Sequence, residues 1–196
     1  MEQLIASSSV GDPTRFRPLD FLETQFAALP PAPRDAGRVR LVVRRGPHGQ
    51  REALPRALVT PESGIPGDAW GRQRHPAPEA QLTVMQIDVA ELIANGQPLT
   101  LFGDNLFLEL DLSEANLPPG SRLRAGTATL EVTPEPHDGC RKFRERFGDA
   151  ALRFVSKRDL RPLNLRGVYM RVVDEGDIAA DDPVQVLSRP LPHRAG

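Results

Sequence analysis

Residues 103–112 read Gly-Asp-Asn-Leu-Phe-Leu-Glu-Leu-Asp-Leu. Past the Gly-Asp-Asn turn, Leu106, Leu108, Leu110 and Leu112 alternate with Phe107, Glu109 and Asp111. That is the period of two expected of a strand with one face in a core. Downstream, Pro118-Pro119-Gly120 turns the chain back, and residues 122–125 and 127–133 form two more extended stretches around Gly126, with Ala128, Leu130 and Val132 facing one way. Upstream, residues 82–87 read as a buried strand. Asp88, with Glu91 three residues on, gives a capping-box-like start to a short helix that ends at Asn95-Gly96. Further out, Val39, Leu41 and Val43 alternate with Arg40, Val42 and Arg44, and residues 52–60 form an extended stretch broken by Pro55. Residues 167–173 and 183–187 supply two last strands, joined by an acidic turn at Asp174-Glu175-Gly176-Asp177.

Helical spacing is confined to three places: a short stripe of Leu19, Leu22, Phe26 and Leu29 stopped by Pro30-Pro31-Ala32-Pro33, the segment after Asp88, and a basic stretch from Cys140 that Gly148 divides in two. About seven or eight short strands with few helices predict a mainly β fold, a closed or nearly closed barrel with a few short α-helices, because closure removes exposed edges. The expected division is an N-terminal extension with one short helix over 1–37, the barrel over 38–188 and a tail over 189–196.

Composition agrees with many short elements: 20 Pro and 16 Gly in 196 residues punctuate the chain often. The net charge of −1 gives no field that would draw the protein to nucleic acid or an anionic membrane, and neither is expected as a partner. A single cysteine cannot form an internal disulfide, and the start Met-Glu-Gln-Leu-Ile lacks the basic and apolar segments of a leader, so a reducing cytoplasm is expected. No apolar run approaches the roughly 18–20 residues that span a bilayer.

Charge is nevertheless uneven. Residues 141–166 hold nine basic side chains against three acidic ones, a local charge of +6 that leaves −7 for the rest of the chain. Cys140 opens this window, behind the loop Pro134-Glu135-Pro136-His137-Asp138-Gly139 and followed by Arg141, Lys142 and Arg144. A lone cysteine is most often a small buried hydrophobe. A thiol at a helix start among cations instead favours the thiolate, which is the nucleophilic and metal-binding form. His137 is a candidate base for that thiol or a capping residue, and Asp68 and Asp104, each after a loop glycine, are candidate ligand-binding carboxylates or turn residues. One Cys and four scattered His lack the spacing of a zinc site, and no phosphate-binding glycine loop or hydrolase motif is present.

Taken in order, Gly67-Asp68, the strand and helix of 82–95, Gly103-Asp104-Asn105-Leu106, Pro119-Gly120 with Gly126, Leu130-Glu131-Val132-Thr133 and His137-Asp138-Gly139-Cys140 resemble the MOSC (molybdenum cofactor sulfurase C-terminal) family across residues 38–188. The resemblance implies a barrel like that of pyruvate kinase's barrel domain, built around one cysteine that carries sulfur as a persulfide or ligates molybdenum in a pterin cofactor, molybdopterin. Cys140 takes that place, as catalytic thiol and metal ligand, with His137 beside it. Asp68, Asp104, Asn105, Arg141, Lys142, Arg144 and Arg166 are the residues expected to meet the anionic pterin. Two positions depart from the family pattern: Trp70 stands where Gly-Asp-x-His has its histidine, and Asp104 replaces the glutamate of Gly-Glu-Asn-Leu. The functions implied are a sulfur carrier or cofactor-binding module, or a molybdenum-dependent reductase of N-hydroxylated compounds. A non-catalytic barrel with a buried Cys140 is the remaining alternative. Lacking a desulfurase domain or a ferredoxin-like cysteine cluster, the chain is expected to depend on a cysteine desulfurase or an electron-transfer reductase as partner.

Overall fold

A computed structural model of the chain describes residues 10–190. The first nine residues of the expected extension and the last six of the tail lie outside the described residues. The strands are β1 (Ala36–Arg45), β2 (Arg51–Leu54), β3 (Arg56–Val59), β4 (Leu82–Gln86), β5 (Leu106–Leu108), β6 (Arg122–Ala125), β7 (Ala128–Val132), β8 (Val168–Asp174), β9 (Gly176–Ala179) and β10 (Pro183–Ser188). The α-helices are α1 (Leu19–Ala27), α2 (Ile87–Ala94) and α3 (Arg141–Ser156). Seven strands run in the order β1, β5, β4, β8, β7, β6, β10, and β10 pairs back to β1 to close a barrel. Every pairing in the ring is antiparallel except β4 with β5, which the α2 crossover joins in parallel. β2 extends β1 beyond the ring, and β3 pairs with β9 in a separate two-stranded sheet.

Two apolar clusters result. The barrel interior holds Val84, Leu106, Leu108, Leu123, Leu130, Met170 and Val184, with Val59 and Ile178 brought in by the β3–β9 pair. The opposite faces of β1, β4 and β5 send Val43, Met85 and Phe107 into a second cluster with Leu22, Val89, Ile93, Phe102, Phe143, Phe147 and Phe154. The three helices cover that side, and each fully buried aromatic there contributes on the order of 1.5–3 kcal/mol through burial. Gly148 breaks α3 at φ 89, where an added Cβ would also stand 2.8 Å from the Phe16 ring, so the division of the basic helix follows from backbone and packing together.

Several local expectations are corrected. The alternation of 106–112 keeps all four leucines buried, yet β5 ends at Leu108; beyond it the Glu109 and Asp111 amides bond to Arg38 and Pro33 carbonyls as extended chain. In β1 the pairing register shifts between Val39 and Leu41, so Val39 and Val42 enter the barrel while Leu41 and Val43 face the helices. A bulge has reversed the alternation. The acidic turn is the junction into β9, whose Gly176 and Asp177 pair with Val59 and Leu58. Asp88 lies inside the first turn of α2 rather than at its cap, and Gln86 in the cap position makes no side-chain cap bond.

Candidate functional site

Where the loops leave β1, β4, β5 and β8 on the helix side, charged groups gather beneath the surface. The Gly103-Asp104-Asn105 turn is their hub. Asn105 uses its whole amide: Nδ2 donates to the Val43 carbonyl and to Asp68 Oδ2, both at 3.1 Å, and Oδ1 accepts from the Thr83 amide and hydroxyl at 3.1 Å. Asp68, 1% exposed, receives a two-pronged bond from Arg45 at 2.6 and 3.0 Å, the Arg45 amide at 2.7 Å and the Trp70 amide at 3.0 Å. Burial pushes this carboxyl up, but the Arg45 bond and charge and the two amides outweigh it and hold the group below the usual carboxylate range. Trp70 is buried and donates from its indole to the Ala77 carbonyl at 2.8 Å, so the residue in the family's histidine position here holds the loop.

Asp104 is fully buried. Its Oδ2 accepts from Arg166 Nη1 at 2.8 Å, whereas Oδ1 has no hydrogen-bond partner among the described residues, His137 Nε2 standing 3.6 Å away. The Arg166 guanidinium lies over the Phe143 ring, 5.1 Å from its centroid, and its Nε has no hydrogen-bond partner among the described residues. His137, its side chain 6% exposed, packs against Tyr169 with ring centroids 4.6 Å apart, and its buried Nδ1 has no hydrogen-bond partner among the described residues. Burial, reinforced by Arg166 and opposed by Asp104, lowers the imidazole to about 3, so it is neutral at physiological pH. His137 and Arg166 also line a cavity of about 300 Å³ that opens past Thr133, Glu135 and Asn164.

Cys140 is exposed at the N-cap position of α3 and makes no side-chain cap bond, so it is not a small buried hydrophobe. No hydrogen bond joins it to His137 among the described residues, and the histidine meets Asp104 and Tyr169 instead. Arg141, Lys142 and Arg144 lie exposed on the outer face of α3, Arg141 in an i,i+4 pair with Glu145, and are not drawn into the buried cluster. The structure therefore brings together Asp68, Asp104, Asn105, His137 and Arg166, and leaves the three helix cations outside.

Three further arginines belong to the site without having been singled out. Arg45 clamps Asp68; Arg51, 5% exposed, and Arg146 converge on Gly103. Burial and the neighbouring Arg51 lower Arg146 to about 10, while Cys140 and Asp104 oppose the shift; this puts Cys140 in electrostatic reach of the cluster. The sequence carried one sign of this. Arg146 stands three residues after Phe143 and beside Phe147, on the buried stripe of α3, where a basic residue needs a reason.

A seven-stranded barrel with one exposed cysteine beside a buried cationic cluster defines the class. A family model for the MOSC domain matches residues 71–185, more than half of the chain, and the protein belongs to the MOSC family. Among solved structures it is similar to the YuaD protein from Bacillus subtilis, with 17% identity and a TM-score of 0.58 over 77% of this chain and 95% of that one. It is likewise similar to YiiM from Escherichia coli, with 22% identity and a TM-score of 0.52 over 78% of this chain and 71% of that one. At such identities the likeness carries the fold alone. No curated protein matches the chain. Among the described residues no helix is long and apolar enough to cross a membrane, and no group of three or more His, Cys, Asp or Glu is placed to hold a metal ion.

Proposed function

We propose that this protein is a molybdenum-cofactor module of the MOSC type, with Cys140 as the thiol that carries a persulfide or ligates the metal. One observation carries the reading: the exposed thiol stands at the N-cap of α3, whose next turns bring Phe143 and Arg146 to the buried arginine cluster. Asp68 is taken up by Arg45, two backbone amides and Asn105, Asp104 bonds Arg166 through one oxygen, and Arg51 Nη1 and Arg166 Nε have no hydrogen-bond partner among the described residues. Such a donor set fits an anionic pterin, because guanidinium forks suit phosphate and other oxyanions. When bound, the cofactor would supply a metal centre for two-electron chemistry.

The chain's own residues would do the rest. Arg51, Arg146 and Arg166 hold negative charge; Phe143 and Phe147 back the site and exclude water. Neutral His137 offers a proton acceptor or donor at Nδ1. In sulfur transfer, the Cys140 thiolate attacks the terminal sulfur of a desulfurase persulfide; the donor S–S bond breaks, the donor leaves as thiolate and Cys140 holds the persulfide.

The alternative, a reductase of N-hydroxylated compounds supplied with electrons by an external reductase, draws support from the cavity of about 300 Å³ beside His137, at the lower end of the range for ligand pockets. The deciding experiment is molybdenum, pterin and sulfane-sulfur analysis of freshly purified protein and of Cys140→Ser. We expect molybdenum or sulfane sulfur in the wild type and its loss in a folded Cys140→Ser. Equal content in both sinks the assignment, and bound molybdenum with N-hydroxy reduction selects the alternative.

A further inference from the structure

α3 reaches the site with its first half. Cys140 stands at its N-cap, and Phe143 and Arg146 lie in the next turns, before Gly148 breaks the helix at φ 89 and ψ 169. The second half is held by α1, through the Phe26–Phe154 ring contact at 5.7 Å and the Lys157–Glu23 ion pair at 2.7 Å. The first half is gripped from outside by the chain that precedes α1, residues 11–17.

These residues run as a strap from the end of α2 to the break in α3. At the α2 side, Arg17 Nη2 donates to Asn95 Oδ1 at 2.8 Å and Asn95 Nδ2 donates to the Arg15 carbonyl at 2.9 Å, where Asn95 closes α2 in a left-handed turn. At the α3 side, the Gly11 amide donates to the Glu145 carbonyl at 3.2 Å. The Asp12 amide donates to Gln97 Oε1 at 2.7 Å, and Gln97 Nε2 donates in turn to the Arg146 carbonyl at 3.5 Å. So close an approach requires glycine at position 11, since a Cβ there would overlap the Arg146 carbonyl. Phe16 lays its ring against bare Gly148, where an added Cβ would stand 2.8 Å from it. Carbonyls beside a helix break call for donors from outside the helix, and the strap and Gln97 supply them to Glu145 and Arg146.

Little of the strap is buried. Phe16 is half-buried, Asp12, Pro13, Thr14, Arg15 and Arg17 are exposed, and none of them joins either apolar cluster. The residue whose backbone is gripped is the one whose side chain reaches the site: Arg146 Nη1 donates to the Phe102 carbonyl at 2.9 Å and lies 3.4 Å from where Gly103 would carry a Cβ.

We propose that Gly11 and Phe16 are positioning residues for the site: the strap keeps α3 bent at Gly148, and so holds Arg146 at Gly103 and the Phe143 ring against Arg166. As an account of cofactor loading this rests on the functional reading above; as an account of what holds α3 it does not.

Phe16→Ala tests it. Amides of residues 141–147 should exchange with deuterium at least about tenfold faster than in the wild type, while those of β4, β7 and β8 keep their rates. The Arg166 Nε–H resonance, displaced in the wild type by the Phe143 ring, should move toward the position of an exposed arginine. Molybdenum or sulfane-sulfur content should fall severalfold, and Phe16→Leu should restore all three. Should Phe16→Ala not fold, Gln97→Ala, which removes only the side-chain link between Asp12 and Arg146, should give the same localised pattern. Exchange that is unchanged, or faster throughout the barrel, overturns the proposal, and so does an unmoved Arg166 resonance in a variant whose α3 exchanges faster. Equal loading of the wild type and a variant with a displaced Arg166 resonance overturns the strap's part in loading. Where the wild type carries neither molybdenum nor sulfane sulfur the functional reading fails, and the strap stands or falls on exchange and the resonance alone.

Discussion

Asp68 and Asp104 each follow a loop glycine, each is buried and each faces an arginine, but only one of them is closed. Both oxygens of Asp68 are taken up by Arg45, two amides and Asn105, whereas Asp104 bonds Arg166 through one oxygen and, among the described residues, has no hydrogen bond to the other, which stands opposite His137. A saturated buried carboxylate is a staple that fixes the loop after β3 to β1 and β5. An unsaturated one keeps capacity for a ligand or a proton, since a buried polar atom without a partner is a cost that folding alone does not explain.

The largest expected effect that tests this contrast is on stability. Asp68→Asn turns an acceptor toward Arg45 into a donor and leaves the half-buried Arg45 guanidinium without its counter-charge; we expect a loss of about 3 kcal/mol in urea denaturation. A loss under 1 kcal/mol would show that Asp68 is not the staple. Next comes acid sensitivity. His137 titrates at about 3 in the folded protein and near 6.5 when unfolded, so on acidification the unfolded chain takes up a proton that the folded one refuses. Stability present above pH 6.5 should therefore fall towards pH 3, by up to about 1.4 kcal/mol per pH unit, and His137→Gln should flatten the slope between pH 6.5 and 4.5. An identical slope in the variant would remove His137 from the account. The smallest effect is expected for Asp104→Asn, whose amide oxygen still accepts from Arg166 although the counter-charge is lost: about 1.5–3 kcal/mol. If it costs as much as Asp68→Asn, the two carboxylates are equivalent and the contrast fails.

The sequence showed what local periodicity can show. Alternating leucines and valines marked most strands of the ring, turn glycines marked their ends, and Leu22 and Phe26 marked α1. β9 escaped because Gly176-Asp177 resembles a turn until β3, more than a hundred residues earlier, offers it a partner. The phase of β1 escaped because a bulge is a property of the pair and not of the strand. At the site, the glycine-linked motifs named Asp68, Asp104 and Asn105 and the basic window named Arg166, and these four do converge. The run Arg141, Lys142 and Arg144 drew notice by density, yet its members point outward, and the buried cations Arg45, Arg51 and Arg146 lay scattered in the sequence. Charge density along a chain measures solvation more readily than it measures a site.

The barrel closes through Ala36, Gly37 and Arg38 of β1 paired to Gln185, Val184 and Pro183 of β10. During synthesis, β1 leaves the ribosome long before its last neighbour exists. At about 5–20 residues per second that interval is roughly 7–30 s, far longer than the microseconds in which a hairpin forms. Arg45 and Arg51 sit on this early segment, while Cys140, Arg146 and Arg166 arrive late. Until then the β1–β2 hairpin presents an open edge, the kind of strand that chaperones bind and aggregates recruit.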